Sequence, residues 1–217
     1  MRVIDLSHPI SPCMPVYPDT EPPSIAVTCT IDQNGFVERK ITLYSHTGTH
    51  IDAPAHIISG ARTLDRIPVN HFVGKAFVLD VRSVEGLKIN VFDLKPHEHL
   101  IERNEFLLLH TGRDDLWGEP GYFDGYPVLT DDAAEWLGRF ELKGLGVDAI
   151  SLDPPDSRVF PVHRCLLERG MVLIENLTNL QALPATGFMF ACLPLNLEGG
   201  DGSPVRAVAI IEQEFST

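Results

Sequence analysis

The chain has 217 residues, with 17 Lys and Arg against 30 Asp and Glu, a formal net charge of −13. Hydrophobic residues make up 44% and charged residues 22%, ordinary globular usage that excludes wholesale disorder and a fibrous chain. The acidic balance argues against nucleic acid as the main partner, because phosphate binding needs clustered Lys and Arg, and no apolar run reaches the length of a membrane span.

Met1-Arg2-Val3-Ile4-Asp5-Leu6 enters a strand pattern directly, without the basic stretch, apolar stretch and cleavage site of a signal peptide. Cys13, Cys29, Cys165 and Cys192 are widely spread and form no Cys-x-x-Cys pair, so a reduced, cytoplasmic protein with mostly buried thiols is expected. The 17 Gly and 17 Pro are scattered rather than pooled, which predicts one domain over residues 1–217.

Apolar runs rich in β-branched residues predict strands at Val3–Leu6, Ile25–Thr30, Val37–Leu43, Ala76–Val81, Phe106–His110, Leu145–Leu152, Met171–Glu175, Phe188–Leu193 and Val205–Glu212. A helix is predicted after Thr130, with Asp131 and Asp132 in its first turn and Ala133, Ala134, Trp136, Leu137 and Phe140 as its packing face; Gly144 would close that region. A second runs from about His163 to a stop at Gly170. Strands outnumber helices, and the reading is a mixed α/β domain built on a large sheet or barrel.

Residues 46–56 read His46-Thr47-Gly48-Thr49-His50-Ile51-Asp52-Ala53-Pro54-Ala55-His56. Gly48, the threonines and Pro54 weigh against a helix, and in an extended segment the period of two puts His46, His50, Asp52 and His56 on one side. Fully extended, His46 and His50 would have Cα atoms about 13 Å apart, near the limit for two imidazoles on one ion. The segment must therefore bend, and Gly48 is where bending costs least. Two neutral imidazoles and a carboxylate make a three-ligand set for a divalent transition metal, with a position left open for water.

A second piece lies between His163 and Glu175, where a short helix, a glycine turn and one strand can return Glu175 close to His163. Glu175 ends an apolar run, and a carboxylate at the end of a buried strand needs a cation or good donors. The residues alone leave two readings open: a ligand pair, or an Arg partner for Glu175 and a capping role for His163. The remaining histidines (His8, His71, His97, His99, His110) read as ordinary polar residues, with His97 and His99 in a solvated loop or helix start.

Residues 46–56 match the His-x-Gly-Thr-His-x-Asp-x-Pro-x-His signature, and on it the chain resembles the metal-dependent cyclase family, whose best-known activity is bacterial kynurenine formamidase (arylformamidase). Further blocks occur in the family's order over nearly the whole chain: Asp5-Leu6-Ser7-His8-Pro9-Ile10, Asp65-Arg66-Ile67-Pro68, Gly74 with Leu79-Asp80-Val81, Leu109-His110-Thr111-Gly112, and Gly146-Val147-Asp148-Ala149-Ile150-Ser151. The resemblance implies a swivelling β/β/α fold, a homodimer or larger homo-oligomer, and a site for two divalent ions, zinc or manganese. It also implies the residue roles: His46, His50 and Asp52 on the first ion, Asp52, His163 and Glu175 on the second, and His56 as proton donor and acceptor. Two places depart from it. Tyr17-Pro18 stands where kynurenine formamidases carry a Trp-Pro pair lining the substrate pocket, and His110 stands where an Arg is common.

The expected activity is amide hydrolysis: hydroxide formed on the metals attacks the carbonyl, and His56 protonates the leaving nitrogen. An N-formyl aryl amine such as N-formylkynurenine fits, with Tyr17 stacking on the aryl ring; a cyclic amide such as isatin is the alternative. The rival class is a non-catalytic metal or small-ligand binding module. Against it, structural zinc prefers closed sites, often with thiolates, whereas no Cys lies beside this signature.

Overall fold

The computed structural model describes residues 1–212. In chain order the strands are β1 Arg2–Asp5, β2 Ser24–Cys29, β3 Glu38–Thr42, β4 His50–Asp52, β5 Val73–Asp80, β6 Lys88–Ile89, β7 Phe106–His110, β8 Val128–Leu129, β9 Gly144–Val147, β10 Val172–Glu175, β11 Phe188–Ala191, β12 Gly202–Pro204 and β13 Val208–Ile211. Nine of them form one mixed sheet in the order β1-β13-β11-β5-β7-β9-β10-β4-β12. The expected strand-rich α/β architecture is therefore present, with few and short helices.

The middle of the sheet is parallel, from β5 through β7 and β9 to β10. Parallel strands covered on both faces read as continuous apolar runs, as Phe106–Leu109 and Val172–Ile174 do here. In β7 alternate residues point to opposite sides: Leu107 and Leu109 join one core with Phe77, Leu145 and Leu173, while Phe106 and Leu108 join another with Ala76, Ile174 and Phe190. The first core is closed by two short helices, Asp131–Leu137 and Pro161–Leu167, which pack against each other and bury Ala133, Ala134, Leu137, Val162, Leu166 and Leu167. The Thr130 hydroxyl caps the first helix by accepting from Ala133 N at 3.3 Å, with Asp131 and Asp132 in the first turn as expected.

Three expectations are corrected. The first helix stops at Leu137, where Gly138 N and Arg139 N close a turn on Ala134 and Trp136; Gly144 instead opens β9. The predicted strand Leu145–Leu152 ends at Val147, because the Asp148 carboxylate turns to accept from Thr111 N and Gly112 N at 2.8 Å each. Of the four free cysteines only Cys192 is buried; Cys13 is exposed, and Cys29 and Cys165 are half-buried. The hairpin β2–β3 pairs only with itself and leaves most of both strands exposed. No helix of the described residues is long and apolar enough to cross a membrane.

Candidate metal centre

The centre is set by register. β4 runs antiparallel to β10 so that His50 lies opposite Glu175, and to β12 so that Asp52 lies opposite Gly202. His50 and Asp52 are two residues apart and leave the same face, and the cross-strand pair brings Glu175 to it. His46 arrives from the turn before β4, where Gly48 takes φ +67°. That conformation supplies the bend and costs Gly least. Gly202 keeps the opposite wall open: a Cβ there would lie 2.4 Å from His46 Cε1. Only His50–Asp52 of residues 46–56 is a strand, so the in-phase extended reading gives way to a bend at Gly48 and a 3₁₀ turn at Pro54–His56.

Both carboxylates face two ways. Asp52 Oδ1 is 2.6 Å from His46 Nδ1 and 3.4 Å from His50 Nε2, while Oδ2 is 3.5 Å from His163 Nε2. Glu175 Oε2 is 3.5 Å from His50 Nε2 and Oε1 is 3.1 Å from His163 Nε2. The other ring nitrogens of two histidines are committed. His50 Nδ1 donates to the Gly48 carbonyl at 2.8 Å, and His163 Nδ1 donates to Asp153 Oδ2 at 2.6 Å. In neutral imidazoles this fixes the tautomer, leaving each Nε2 a lone pair aimed at carboxylate oxygens. Lone pairs facing anions repel unless a proton or a cation stands between them.

The residues fit a divalent cation on this ground. Glu175 Oε1 is buried and makes no hydrogen bond although His163 Nε2 is 3.1 Å away. Nitrogen and carboxylate donors together suit zinc and manganese. Ligand atoms of His50, Asp52 and Glu175 lie within 4.8 Å of one another, as do those of His46, Asp52 and His56. Burial opposes charge on His46 and His163, but the carboxylates prevail: Asp52 and Asp201 raise His46 to about 9, and Asp153, Asp52 and Glu175 raise His163 well above its ordinary value. Burial alone would raise Asp52, yet its contacts with His163, His46 and His50 hold it well below the usual carboxylate range.

Positive charge is thus drawn to this point whether protons or a metal supply it. Filling both ion sites at pH 7 is expected to release about two protons, one from each raised histidine, and affinity is expected to rise with pH towards 9. Calorimetry in buffers of differing ionisation enthalpy measures this; uptake without proton release would contradict it.

The expected residues gather as follows. His46, His50, Asp52, His163 and Glu175 converge on one wall of a cavity of about 540 Å³. His56 shares it, with its ring centroid 3.9 Å from that of His46 and its Nδ1 3.7 Å from Asp201 Oδ2. Tyr17 lines the same cavity and is exposed. Glu175 has no Arg partner among the described residues; its neighbours are histidines.

Three contributors escaped sequence reasoning. Asp153, fully buried, accepts from Val162 N, His163 N and His163 Nδ1, fixing both the helix start and the ring. Asn176 Nδ2 donates to the Gly48 carbonyl at 2.8 Å and holds the bend, while its own Oδ1 accepts from the Tyr122 hydroxyl at 2.6 Å. Asp201 Oδ2 accepts from His46 Nε2 at 3.0 Å. Asp153→Asn keeps the volume but removes the anion behind His163, and is expected to weaken metal affinity by about 10–100-fold. Competition against a chelator would reveal it; unchanged affinity would contradict the orienting role.

His110, Asp114 and Asp148 form a second buried group at the ends of β7 and β9. Its carboxylates are largely spent on the chain itself: Asp148 accepts from Thr111 and Gly112, and Asp114 Oδ2 accepts from the Thr178 hydroxyl and Asn179 N. His8 lies nearby, stacked on Trp117 at 3.9 Å.

Residues 4–154 match the family model described as “Putative cyclase”. The chain belongs to the cyclase family. This cyclase-family chain is 34% identical over 207 residues to a kynurenine formamidase of Bacillus cytotoxicus, covering 94% of the chain and 95% of the relative. It is 33% identical over 220 residues to the kynurenine formamidase of Salinibacter ruber, covering 96% and 97%. Among solved structures, isatin hydrolase A from Ralstonia solanacearum superposes with a TM-score of 0.86 at 29% identity, covering 97% of this chain and 92% of that one. A second isatin hydrolase A, from Labrenzia aggregata, gives 0.87 at 25% identity, covering 98% and 94%.

Proposed function

We propose that this cyclase-family protein is a metal-dependent amidohydrolase that cleaves a small amide of an aryl amine, with N-formylkynurenine as the leading substrate. The observation that carries the reading is the convergence of three imidazoles on two buried carboxylates, with each carboxylate presenting one oxygen to His50 and the other to His163. His46, His50 and Asp52 would hold one ion, and Asp52, His163 and Glu175 a second, with zinc or manganese as the metal. Bound there, such ions supply Lewis-acid polarisation of a carbonyl and bring the pKa of water towards neutrality.

The chain's own residues do the rest. Asp153 and the Gly48 carbonyl keep the imidazoles of His163 and His50 in one tautomer. Burial lowers His56 below its ordinary value, so its ring is neutral at pH 7 and free to take a proton from water. Hydrolysis breaks the C–N bond, transfers the water's hydroxyl to the acyl carbon, and needs the remaining proton on the nitrogen; His56, at the cavity wall, carries it. Tyr17, Tyr44 and Phe160 offer apolar surface to an aryl ring.

The likeness to isatin hydrolases at TM-scores of 0.86 and 0.87 supports a second reading, opening of a cyclic aryl amide at the same site. The test is a hydrolysis screen of N-formylkynurenine, other aryl formamides and isatin with protein stripped of metal and reloaded with zinc or manganese. Turnover of one class is the expected result. Inactivity of every loaded form would move the weight to a binding module.

A further inference from the structure

Three buried side-chain polar atoms lack a hydrogen-bond partner among the described residues: Glu175 Oε1, Asp114 Oδ1 and His8 Nε2. The first belongs to the metal centre. Asp114 Oδ1 belongs instead to the group of His110, Asp114 and Asp148, and His8 lies within the field of the Asp114 charge. None of that group lines the cavity that holds the metal centre. It sits where the parallel strands end. His110 is the last residue of β7, Asp148 follows β9, and Asp114 bonds to Thr178 and Asn179 in the chain beyond β10. In open α/β sheets ligands commonly bind outside these carboxyl ends. His110, Asp114 and Asp148 are only 6%, 8% and 0% exposed, and one ligand atom from each lies within 4.8 Å of the others.

Both carboxylates have acceptor capacity to spare, because an ionised carboxylate offers about four lone-pair positions. Asp148 Oδ1 accepts from Thr111 N and Thr111 Oγ1, but Oδ2 accepts from Gly112 N alone. Asp114 Oδ2 accepts from Thr178 Oγ1 and Asn179 N, and Oδ1 accepts from nothing. His110 Nε2 faces Asp148 Oδ2 at 3.9 Å, too far for a hydrogen bond. Burial holds His110 below its ordinary value, so its ring brings a lone pair rather than a charge. The nearby guanidiniums are committed elsewhere: Arg113 donates to the carbonyls of Gly121 and Tyr122, and Arg82 to Asp80. Burial, with Asp114 alongside, pushes Asp148 up to about 7 against the donors from Thr111 and Gly112.

We infer that His110 Nε2, Asp114 Oδ1 and Asp148 Oδ2 hold a first-row divalent cation, zinc or manganese, at a site apart from the metal centre. One imidazole nitrogen and two carboxylate oxygens are a donor set that such ions take, and the ion offsets two enclosed anions at once. It ties the ends of β7 and β9 to the segment that follows Glu175 and Asn176. Five hydrogen bonds from the chain already draw on the two carboxylates, so this ion exchanges with solvent and is read at equilibrium rather than after purification.

The test is equilibrium dialysis of stripped protein against manganese or zinc, with elemental analysis of both compartments. It compares Asp52→Asn alone with Asp52→Asn combined with His110→Phe or with Asp114→Asn. The shared Asp52→Asn background disables the metal centre, so the comparison does not depend on the hydrolase reading. Asp52→Asn is expected to bind one ion per chain more than either double variant, and its thermal midpoint is expected to rise further on adding the ion than theirs. His110→Phe keeps a planar ring and leaves the hydrogen bonds to both carboxylates intact, so it reads the site even where Asp114→Asn fails to fold; circular dichroism establishes which variants are folded. Equal ion counts in folded Asp52→Asn and its folded His110→Phe double variant would overturn the site and leave Asp114 and Asp148 to share a proton instead.

Discussion

Asp52→Asn is expected to remove bound metal and turnover together, with activity falling by at least about a hundredfold. Asp52 is buried at the end of β4, and its two oxygens serve different neighbours, Oδ1 towards His46 and His50 and Oδ2 towards His163. Asparagine keeps the volume and one oxygen but turns the other into an NH2 donor, which has no lone pair for a cation. One side of the centre therefore loses its ligand. The sheet is spared, because β4 is held to β10 and β12 by backbone pairing that the side chain does not enter. Elemental analysis beside circular dichroism separates the outcomes: a folded protein without stoichiometric metal is expected. A folded protein that keeps its metal and its rate would remove Asp52 from the centre.

His56→Ala is expected to behave in the opposite way towards metal, keeping the ions while losing about 10²–10⁴ in kcat. His56 stands on the 3₁₀ turn Pro54–His56, beyond the strand that carries His50 and Asp52, and it is half-buried. Its nearest carboxylate is that of Asp201, at 3.7 Å, rather than either of the two carboxylates at the heart of the centre. Its imidazole nitrogen does lie within 4.8 Å of ligand atoms of His46 and Asp52. Metal content therefore distinguishes a proton carrier from a ligand. Retained metal with lost turnover fits the carrier; lost metal would make His56 part of the coordination shell.

Much of this centre was legible because its ligands lie on short spacings or on one strand. His50 and Asp52 share a face by the period of a strand, and Gly48 had to bend for His46 to reach them. Strands such as Phe106–His110 were equally plain, being continuous apolar runs that a two-sided burial requires. What stayed hidden depends on distant pairing. Asp201 meets His46 across 155 positions, and Asn176 meets Gly48 across 128. An Asp between glycines, or an Asn after a Glu, carries no local sign of such a partner. The three-residue β12, Gly202–Pro204, has neither length nor β-branched residues to declare it; it exists because β4 offers it an edge. Asp153 was hidden for another reason: ten residues before His163, it reads as the start of a proline loop rather than as the support of a ring.

The strand order carries a consequence for how the chain matures. β4 enters the sheet between β10 and β12, so a segment from the first quarter of the chain waits for two that come much later. Until residues near 163, 175 and 202 have emerged and docked, His50 and Asp52 have only His46 for company and lack the strands that pair with β4. Completion of the ligand set proposed for the second ion is thereby deferred to a late stage of assembly, because His163 and Glu175 come from later elements. Occupancy of that second proposed site would then report completed topology.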